Sequence, residues 1–357
     1  MLRHHSATHR GFVMRAVQAV RFGNPLDVIE VRDIDIPAVG PGQVLVAASA
    51  ASINYGDIAR TRGGVATVKL DPPFTLGMDV CGIVEAAGEG AEHWLGRRIV
   101  GMTNSSFGGM AEKVISTANG IFDAPVELDD VEGAAFMLPF HTSYMGMHKR
   151  AKLQAGETLM VIGAASGVGT AALQLGVAAG ADVIAVAGGP VKGRYCTDLG
   201  AAVSIDYLTD DLFDRVMDHT NGRGADVVFD LVGGAQTETF WTCVAREGRY
   251  LPVGFNGDID GGLAGKPLRK VSIGNFSVVG VMLSYSNPAG PMRKFGMNPF
   301  PPETGPEIHA ALCALVTSGA IRPAIGQRIT MDDVAAALDD HEQRRTHGRT
   351  VVDIANS

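Results

Sequence analysis

Two periodicities divide this chain. From Met14 to about Val131, short apolar runs such as Arg15–Val20, Val44–Ala51 and Cys81–Ala86 are separated by turns at Pro41-Gly42 and Gly88-Glu89-Gly90. Short runs between turn residues predict a β-rich region, here a small barrel. Residues 132–150 read as helical. From Thr158 the pattern becomes strand, helix, strand. The run Thr158–Ile162 is short and unbroken, as in a strand covered on both faces. Val168, Ala171, Ala172, Leu175, Ala178 and Ala179 then share one helical face, and a second apolar run, Asp182–Ala187, follows. The alternation continues, with strands predicted near 202–206, 226–232, 249–253 and 277–283 and helices near 191–199, 210–220 and 235–246. The result is an α/β chain with six parallel strands in a doubly wound order. The proline-rich stretch 287–306 predicts a long irregular loop. A helix near 305–318, a helix start at Thr330-Met331-Asp332-Asp333 and a strand over Arg349–Ile354 complete the pattern.

The turn after the first parallel strand, Gly163-Ala164-Ala165-Ser166-Gly167-Val168-Gly169, is built of small residues. Such a turn lets the amides at a helix start approach a pyrophosphate. It departs from the strict G-x-G-x-x-G pattern, because Ala164 and Ser166 hold the first two glycine positions. A tight turn in another α/β fold would read the same locally, but the order of strand, turn, helix and strand favours a dinucleotide site. Ala164, Ser166, Gly167, Val168 and Gly169 are the expected pyrophosphate contacts, and Gly188 is a further cofactor contact. The second strand ends in Ala187-Gly188-Gly189, without the carboxylate that binds the ribose hydroxyls of NAD. Lys192 and Arg194 follow and suit a 2′-phosphate, so the cofactor expected is NADP.

Composition narrows the class. Of 357 residues, 46% are apolar and 19% charged, which fits a globular enzyme of two domains. The net charge of −8, with no basic stripe to offset it, excludes a nucleic-acid footprint. Residues 1–13 lack an apolar run long enough for a signal peptide or a membrane span, and read as a disordered extension whose His4, His5 and His9 are solvated. Met14 is a second candidate start. Cys81, Cys196, Cys243 and Cys313 are scattered, with no C-x-x-C pair. That excludes a recognisable zinc knuckle and suits a reducing, cytoplasmic setting.

Several segments in order carry a resemblance: Ala47–Asp57, Pro73–Gly82 followed by Ile83-Val84-Glu85, Gly108-Gly109-Met110-Ala111-Glu112, Leu138–Tyr144, the 161–169 turn, Gly224–Asp230, and the Arg322-Pro323 to Gly348-Arg349 tail. From about Met14 to Ile354 the chain resembles the medium-chain dehydrogenase/reductase superfamily, and within it the zinc-independent NADPH:quinone oxidoreductase group. The resemblance implies a Rossmann domain, residues 138–285, inserted into a β-rich GroES-like catalytic domain, residues 14–137 and 286–357. The active site would lie between them, in a homodimer formed through edge strands, with no membrane association.

The resemblance also assigns roles. Asn54 stands where zinc alcohol dehydrogenases carry a Cys ligand, and quinone reductases carry Asn there, near the nicotinamide. Thr142 matches a Thr that contacts the nicotinamide, and Asn54 and Thr142 are the candidate catalytic residues. Lys192 and Tyr207 match a Lys and a Tyr that hold the 2′-phosphate. The backbone of Gly254-Phe255-Asn256, with that of Val279 to Val281, is expected near the nicotinamide and its carboxamide. Asp57 is expected to bond local backbone or Arg60. His141 reads equally as a group titrating near neutral pH or as a hydrogen-bonded interdomain histidine. Many relatives carry a Tyr five residues after the Asn, and this chain has Ala59. No metal site is expected. The expected reaction is hydride transfer from NADPH to a quinone or similar conjugated carbonyl. An enal, enone or enoyl-thioester reductase is the alternative on the same fold, and a non-catalytic dinucleotide-binding regulator is the alternative of another class.

Overall fold

The computed structural model describes residues 13–64, 70–254, 266, 268–287, 293–294 and 296–357. The expected extension therefore lies outside the described residues except for Val13, which opens the strand Val13–Ala19. That strand pairs with Ile29–Asp35 and Phe74–Thr75 in a small sheet.

The β-rich part closes on itself. Gln43–Ser52 pairs antiparallel with both Asp79–Ala87 and Lys113–Asp123, and Arg98–Thr103 pairs with those same two partners. Alternate residues of Gln43–Ser52 are buried, and Val44 and Val46 point into a core with Val80, Ile99, Val114 and Ile121. Closure brings backbones so near that a Cβ on Gly82 would sit 2.1 Å from the Ala47 carbonyl oxygen. The far end of the chain joins this sheet. Arg349–Asp353 runs antiparallel to Gln43–Ser52, and Ile325–Ile329 runs parallel to Arg349–Asp353.

The second large sheet has six parallel strands in the order Val203–Asp206, Asp182–Ala187, Thr158–Ile162, Ala225–Asp230, Val244–Pro252 and Ser277–Val278. This is the doubly wound order, with the reversal at Thr158–Ile162, where a ligand crevice forms. Every residue of that strand is buried. Two expectations need correction. The helix Gly167–Ala178 does not bury a single stripe: Leu173 and Gln174 are buried and Ala178 is exposed. It is covered on more than one side, by Leu159 and Val183 of the sheet against Gly176, and by the segment at Arg322, whose amide donates to Gln174 Oε1 at 2.9 Å. The last strand is shorter than 277–283. After Val278 the Val279 amide still reaches the Tyr250 carbonyl at 2.8 Å, but the Gly280 carbonyl accepts Arg150 Nε at 2.9 Å.

Between the sheets, the region expected as one helix is broken. Asp129 caps Asp130–Ala134 in a reciprocal capping box with Glu132. Met137–Tyr144 follows and passes into a π-helical turn, Met145–Arg150, where Gly146 packs against Phe229. Helix Thr304–Thr317 and the helix start at Thr330 appear as expected, and Thr330 forms a capping box with Asp333. Part of the 287–306 loop lies outside the described residues. Among those described, no helix is long and apolar enough to cross a membrane.

Candidate active site

The turn at the end of Thr158–Ile162 is shaped by close approach. Ser166 is the N-cap, and its Oγ accepts the Gly169 amide at 3.2 Å. A Cβ on Gly169 would lie 2.2 Å from the Gly163 carbonyl oxygen and 2.7 Å from that of Ala164, so only glycine lets the helix start against the strand end. The Val168 carbonyl accepts Ser143 Oγ at 3.3 Å, which ties the turn to helix Met137–Tyr144. The C-terminal arm is tied to it as well. Gly348 donates its amide to the Ala165 carbonyl at 2.8 Å and bridges Ser166 in parallel.

Arg349, next in sequence, joins the turn to the barrel. Its Cδ would lie 2.2 Å from a Cβ on Gly167, so the side chain runs directly over the turn. Its guanidinium donates to Asn54 Oδ1 at 3.0 Å, to Asp79 Oδ2 at 2.9 Å and to Ser52 Oγ. Asp79 also accepts the Ser52 amide and hydroxyl and Asn54 Nδ2 at 3.2 Å. Burial pushes the Asp79 carboxyl up, and the Arg349 charge and these donors pull it back toward the ionised form. Arg349 Nε has no hydrogen-bond partner among the described residues.

Asn54 is the N-cap of helix Tyr55–Thr61, in a capping box with Asp57. Its two side-chain donors are already engaged, by the Ser52 carbonyl at 3.1 Å and by Asp79. Asp57 accepts the amides of Asn54 and Gly77, both at 2.9 Å. It therefore bonds backbone and not Arg60. Burial raises its carboxyl to about 6. Arg60 is 2% exposed, and none of its guanidinium nitrogens has a hydrogen-bond partner among the described residues.

Thr142 is half-buried on helix Met137–Tyr144, and its hydroxyl has no hydrogen-bond partner among the described residues. No hydrogen bond joins it to Asn54. His141 beside it is fully buried. His309 Nε2 faces the Asp123 carbonyl at 2.9 Å, which only accepts, so that nitrogen carries the proton. His309 Nδ1 then accepts from His141 Nε2 at 3.2 Å, and His141 Nδ1 accepts the Tyr285 hydroxyl at 2.9 Å. Burial holds His141 well below the usual histidine range. Of its two readings, these hydrogen bonds to Tyr285 and His309 support the second, a hydrogen-bonded histidine.

At the selector end, a Cβ on Gly188 would meet the Tyr207 ring at 2.8 Å, so Tyr207 lies over Gly188. Lys192 donates to the Arg344 carbonyl at 2.6 Å, and burial lowers its pKa. Asp206, at the end of the third strand, accepts the amides of Gly189 and Leu208, so this nearby carboxylate is already engaged. Phe255 lies outside the described residues; Val279 and Val281 are half-buried, and the Val279 amide is taken by Tyr250. Reasoning from sequence missed the roles of Arg349, Arg60, His309 and Tyr285. Arg349 lay in plain view in the Gly348-Arg349 tail, but nothing local showed what it reaches. Among the described residues, no group of three or more His, Cys, Asp or Glu is arranged to hold a metal ion.

Comparison with known proteins agrees with this architecture. Residues 40–126 match the family model described as alcohol dehydrogenase GroES-like domain, and residues 167–295 match that described as zinc-binding dehydrogenase. The chain is 32% identical over 269 residues to a quinone oxidoreductase-like protein 2 homolog of Nematostella vectensis, covering 75% of this chain and 72% of that one. It is 29% identical over 329 residues to a quinone oxidoreductase of Lama guanicoe, covering 92% and 93%. The solved structure of mycobacterial Rv1454c complexed with NADPH superposes with a TM-score of 0.81 at 26% identity, covering 96% of this chain and 100% of that one. Barrel, doubly wound sheet, phosphate turn and relatives converge, and the chain belongs to the quinone oxidoreductase group of the medium-chain dehydrogenase/reductase superfamily, a family of oxidoreductases.

Proposed function

We propose that this protein is an NADPH-dependent reductase of a quinone or similar conjugated carbonyl acceptor, and that it works without zinc. The observation that carries the reading is the joint at Gly167. There the phosphate turn, the Arg349 side chain with its unpartnered Nε, and Asn54 are linked in one place. The first amides of a helix have no partner within it, and Gly167 and Val168 hold those places. Together with Arg349 Nε they suit a pyrophosphate. Lys192 and Tyr207 would hold the 2′-phosphate. NADPH, when bound, supplies the hydride. The chain's own part is to orient the ring and offer polar groups to the oxygen that gains charge. Thr142 has an uncommitted hydroxyl for that purpose. Asn54 serves it only by giving up a bond to Ser52 or Asp79, and otherwise fixes Arg349.

The residues do not fit a catalytic zinc. The positions of a Cys and a Gly-His-Glu segment hold Asn54 and Gly77-Met78-Asp79, and Asp79 is committed to Arg349, whose charge would repel a cation. An acceptor whose reduced form is a delocalised phenolate needs only a few hydrogen bonds, and solvent can supply the proton to oxygen. The test is steady-state NADPH oxidation with a panel of quinones, enones and simple ketones, before and after chelation, with metal analysis. Quinone turnover unchanged by the chelator is expected. Stoichiometric zinc, or activity lost to the chelator and restored by zinc, would overturn the metal-free part; binding of NADPH with no turnover on any acceptor would overturn the enzymatic part. The proposal includes a homodimer formed through the edge strand Ser277–Val278, which sedimentation measures.

Cofactor choice has its own test. Lys192→Ala removes a cation on the helix that follows the second strand, whose Nζ donates to the Arg344 carbonyl. NADPH binding is expected to weaken by about 1–3 kcal/mol, the scale of a charged hydrogen bond, with NADH nearly unchanged. Equal losses in a titration of both cofactors would remove the 2′-phosphate assignment.

A further inference from the structure

The hydrogen bonds through His141 join segments that are far apart in sequence. The series starts at the Asp123 carbonyl, at the end of the barrel strand Lys113–Asp123. It passes through His309 of helix Thr304–Thr317 to His141 of helix Met137–Tyr144. It ends at the Tyr285 hydroxyl, in the segment that follows the last parallel strand. All three side chains are buried. The Phe122 ring stacks on His309 with centroids 4.7 Å apart and lies 4.8 Å from His141, so one aromatic side chain packs against both imidazoles. Thr142 and Ser143 follow His141, and Ser143 Oγ donates to the Val168 carbonyl of the phosphate turn. The helix is therefore held to the barrel strand through His141 and to the phosphate turn through Ser143.

Each ring donates at one nitrogen and accepts at the other, a pattern that only the neutral imidazole has. An added proton at His309 Nδ1 would face the His141 Nε2 proton, donor against donor. At His141 Nδ1 it would face the Tyr285 hydroxyl, which must then turn its own proton away. Among the described residues, no carboxylate bonds either ring to compensate the new charge. Asp123 offers the pair its carbonyl, and its carboxylate bonds Arg97. Burial pushes the Tyr285 hydroxyl up, and the Cys313 thiol, one turn along from His309, up to about 11. Glu307, on the same helix, pairs with Lys149 at the surface. Burial holds both rings below the usual histidine range, and the Asp123 field offsets this only in part at His309.

We infer that the His141–His309 pair is an acid-opened joint that positions the helix bearing Thr142, so that coenzyme affinity falls when the pair takes up a proton. This rests on the reading that NADPH occupies the phosphate turn. The closed joint requires neutral rings, whereas separated, solvated rings take up protons near about pH 6.5. The joint is therefore complete at neutral pH and weakens as pH falls below that value, until the rings protonate in place.

The test is equilibrium titration of the oxidised coenzyme, NADP, into wild type, His309→Gln and His309→Leu near pH 7.5 and near pH 5.5. Gln offers His141 an amide oxygen and the Asp123 carbonyl an N–H, and does not titrate; Leu removes both bonds. On acidification wild type is expected to lose about 3- to 10-fold more affinity than His309→Gln. His309→Leu should bind about tenfold more weakly than wild type at the higher pH, with His309→Gln recovering part of that loss. The 2′-phosphate and Asp57, whose carboxyl lies at about 6, titrate in all three proteins, so the comparison cancels them. Equal pH dependence in wild type and His309→Gln would overturn the inference, and that pair carries the test if His309→Leu does not fold. Urea unfolding without coenzyme, at the same two pH values, separates this from the parent reading. The wild-type midpoint should fall more on acidification than that of His309→Gln. If it does while none of the proteins binds NADP, the acid-opened joint stands and the coenzyme assignment falls. If it does while NADP affinity shows no such difference, the pair is structural only and the inference fails.

Discussion

A Gly169→Val variant is expected to lose NADPH binding altogether while keeping its secondary structure. The position admits no Cβ: it would lie 2.2 Å from one carbonyl oxygen and 2.7 Å from the next, both backbone atoms that cannot swing away. Valine adds two methyl groups, so the helix start must lift from the strand end. That displaces the amides of Gly167 and Val168 and breaks the bond from the Gly169 amide to Ser166 Oγ. The pyrophosphate would lose its donors together rather than one at a time. Equilibrium titration, with circular dichroism to confirm folding, measures this. A folded variant with wild-type affinity would show that the cofactor does not use this turn.

Arg349→Met is expected to destabilise the protein by about 3–5 kcal/mol, because it leaves Asp79 as an uncompensated buried carboxylate. Asp79 is 1% exposed, and burial already pushes its carboxyl upward against the pull of Arg349. Without that pull, the folded-state pKa rises farther above the unfolded value. A group raised in this way stabilises the fold below its unfolded pKa and loses that contribution as pH rises through the folded pKa. The variant should therefore lie closest to wild type near pH 4 and farthest from it at neutral pH and above. Adding Asp79→Leu should return much of the loss, since a buried pair replaced by apolar groups is often neutral. Urea unfolding of the four proteins at several pH values completes the cycle. A pH-independent loss, or no recovery in the double variant, would show that Arg349 acts by packing alone.

What could be seen in the sequence followed from how local each signal is. The parallel strands were legible because strands buried on both faces are continuous apolar runs, as in Thr158–Ile162. The helix start at Thr330 was legible because a capping Thr followed by acids is a signal within four residues. The end of the strand at Val278 was not, since Val279 to Leu283 remain as apolar as a strand, while the Gly280 carbonyl accepts from Arg150, 130 residues away. The candidate site divides in the same way. The phosphate turn could be read as one contiguous stretch. The ring of Ser52, Asn54, Asp79 and Arg349 could not, because Arg349 and Asn54 are 295 residues apart and no periodicity links them. His141 was ambiguous because its partners, Tyr285 and His309, come from segments 144 and 168 residues away.

The tie between Gly348 and the phosphate turn has a consequence for how the molecule assembles. The doubly wound sheet is made from chain that precedes Arg349–Asp353, and its contacts are mostly within one stretch of sequence. The late strand adds to the barrel sheet by pairing with the Ala50–Ser52 end of Gln43–Ser52, a contact of very high sequence separation. During synthesis both sheets can therefore collapse before Arg349–Asp353 arrives, with the Ala50–Ser52 end of Gln43–Ser52 unpaired on that edge until it does. On the reading proposed above, cofactor capture uses Arg349 over Gly167 and so follows that pairing, and tight coenzyme binding would mark a chain in which it has formed.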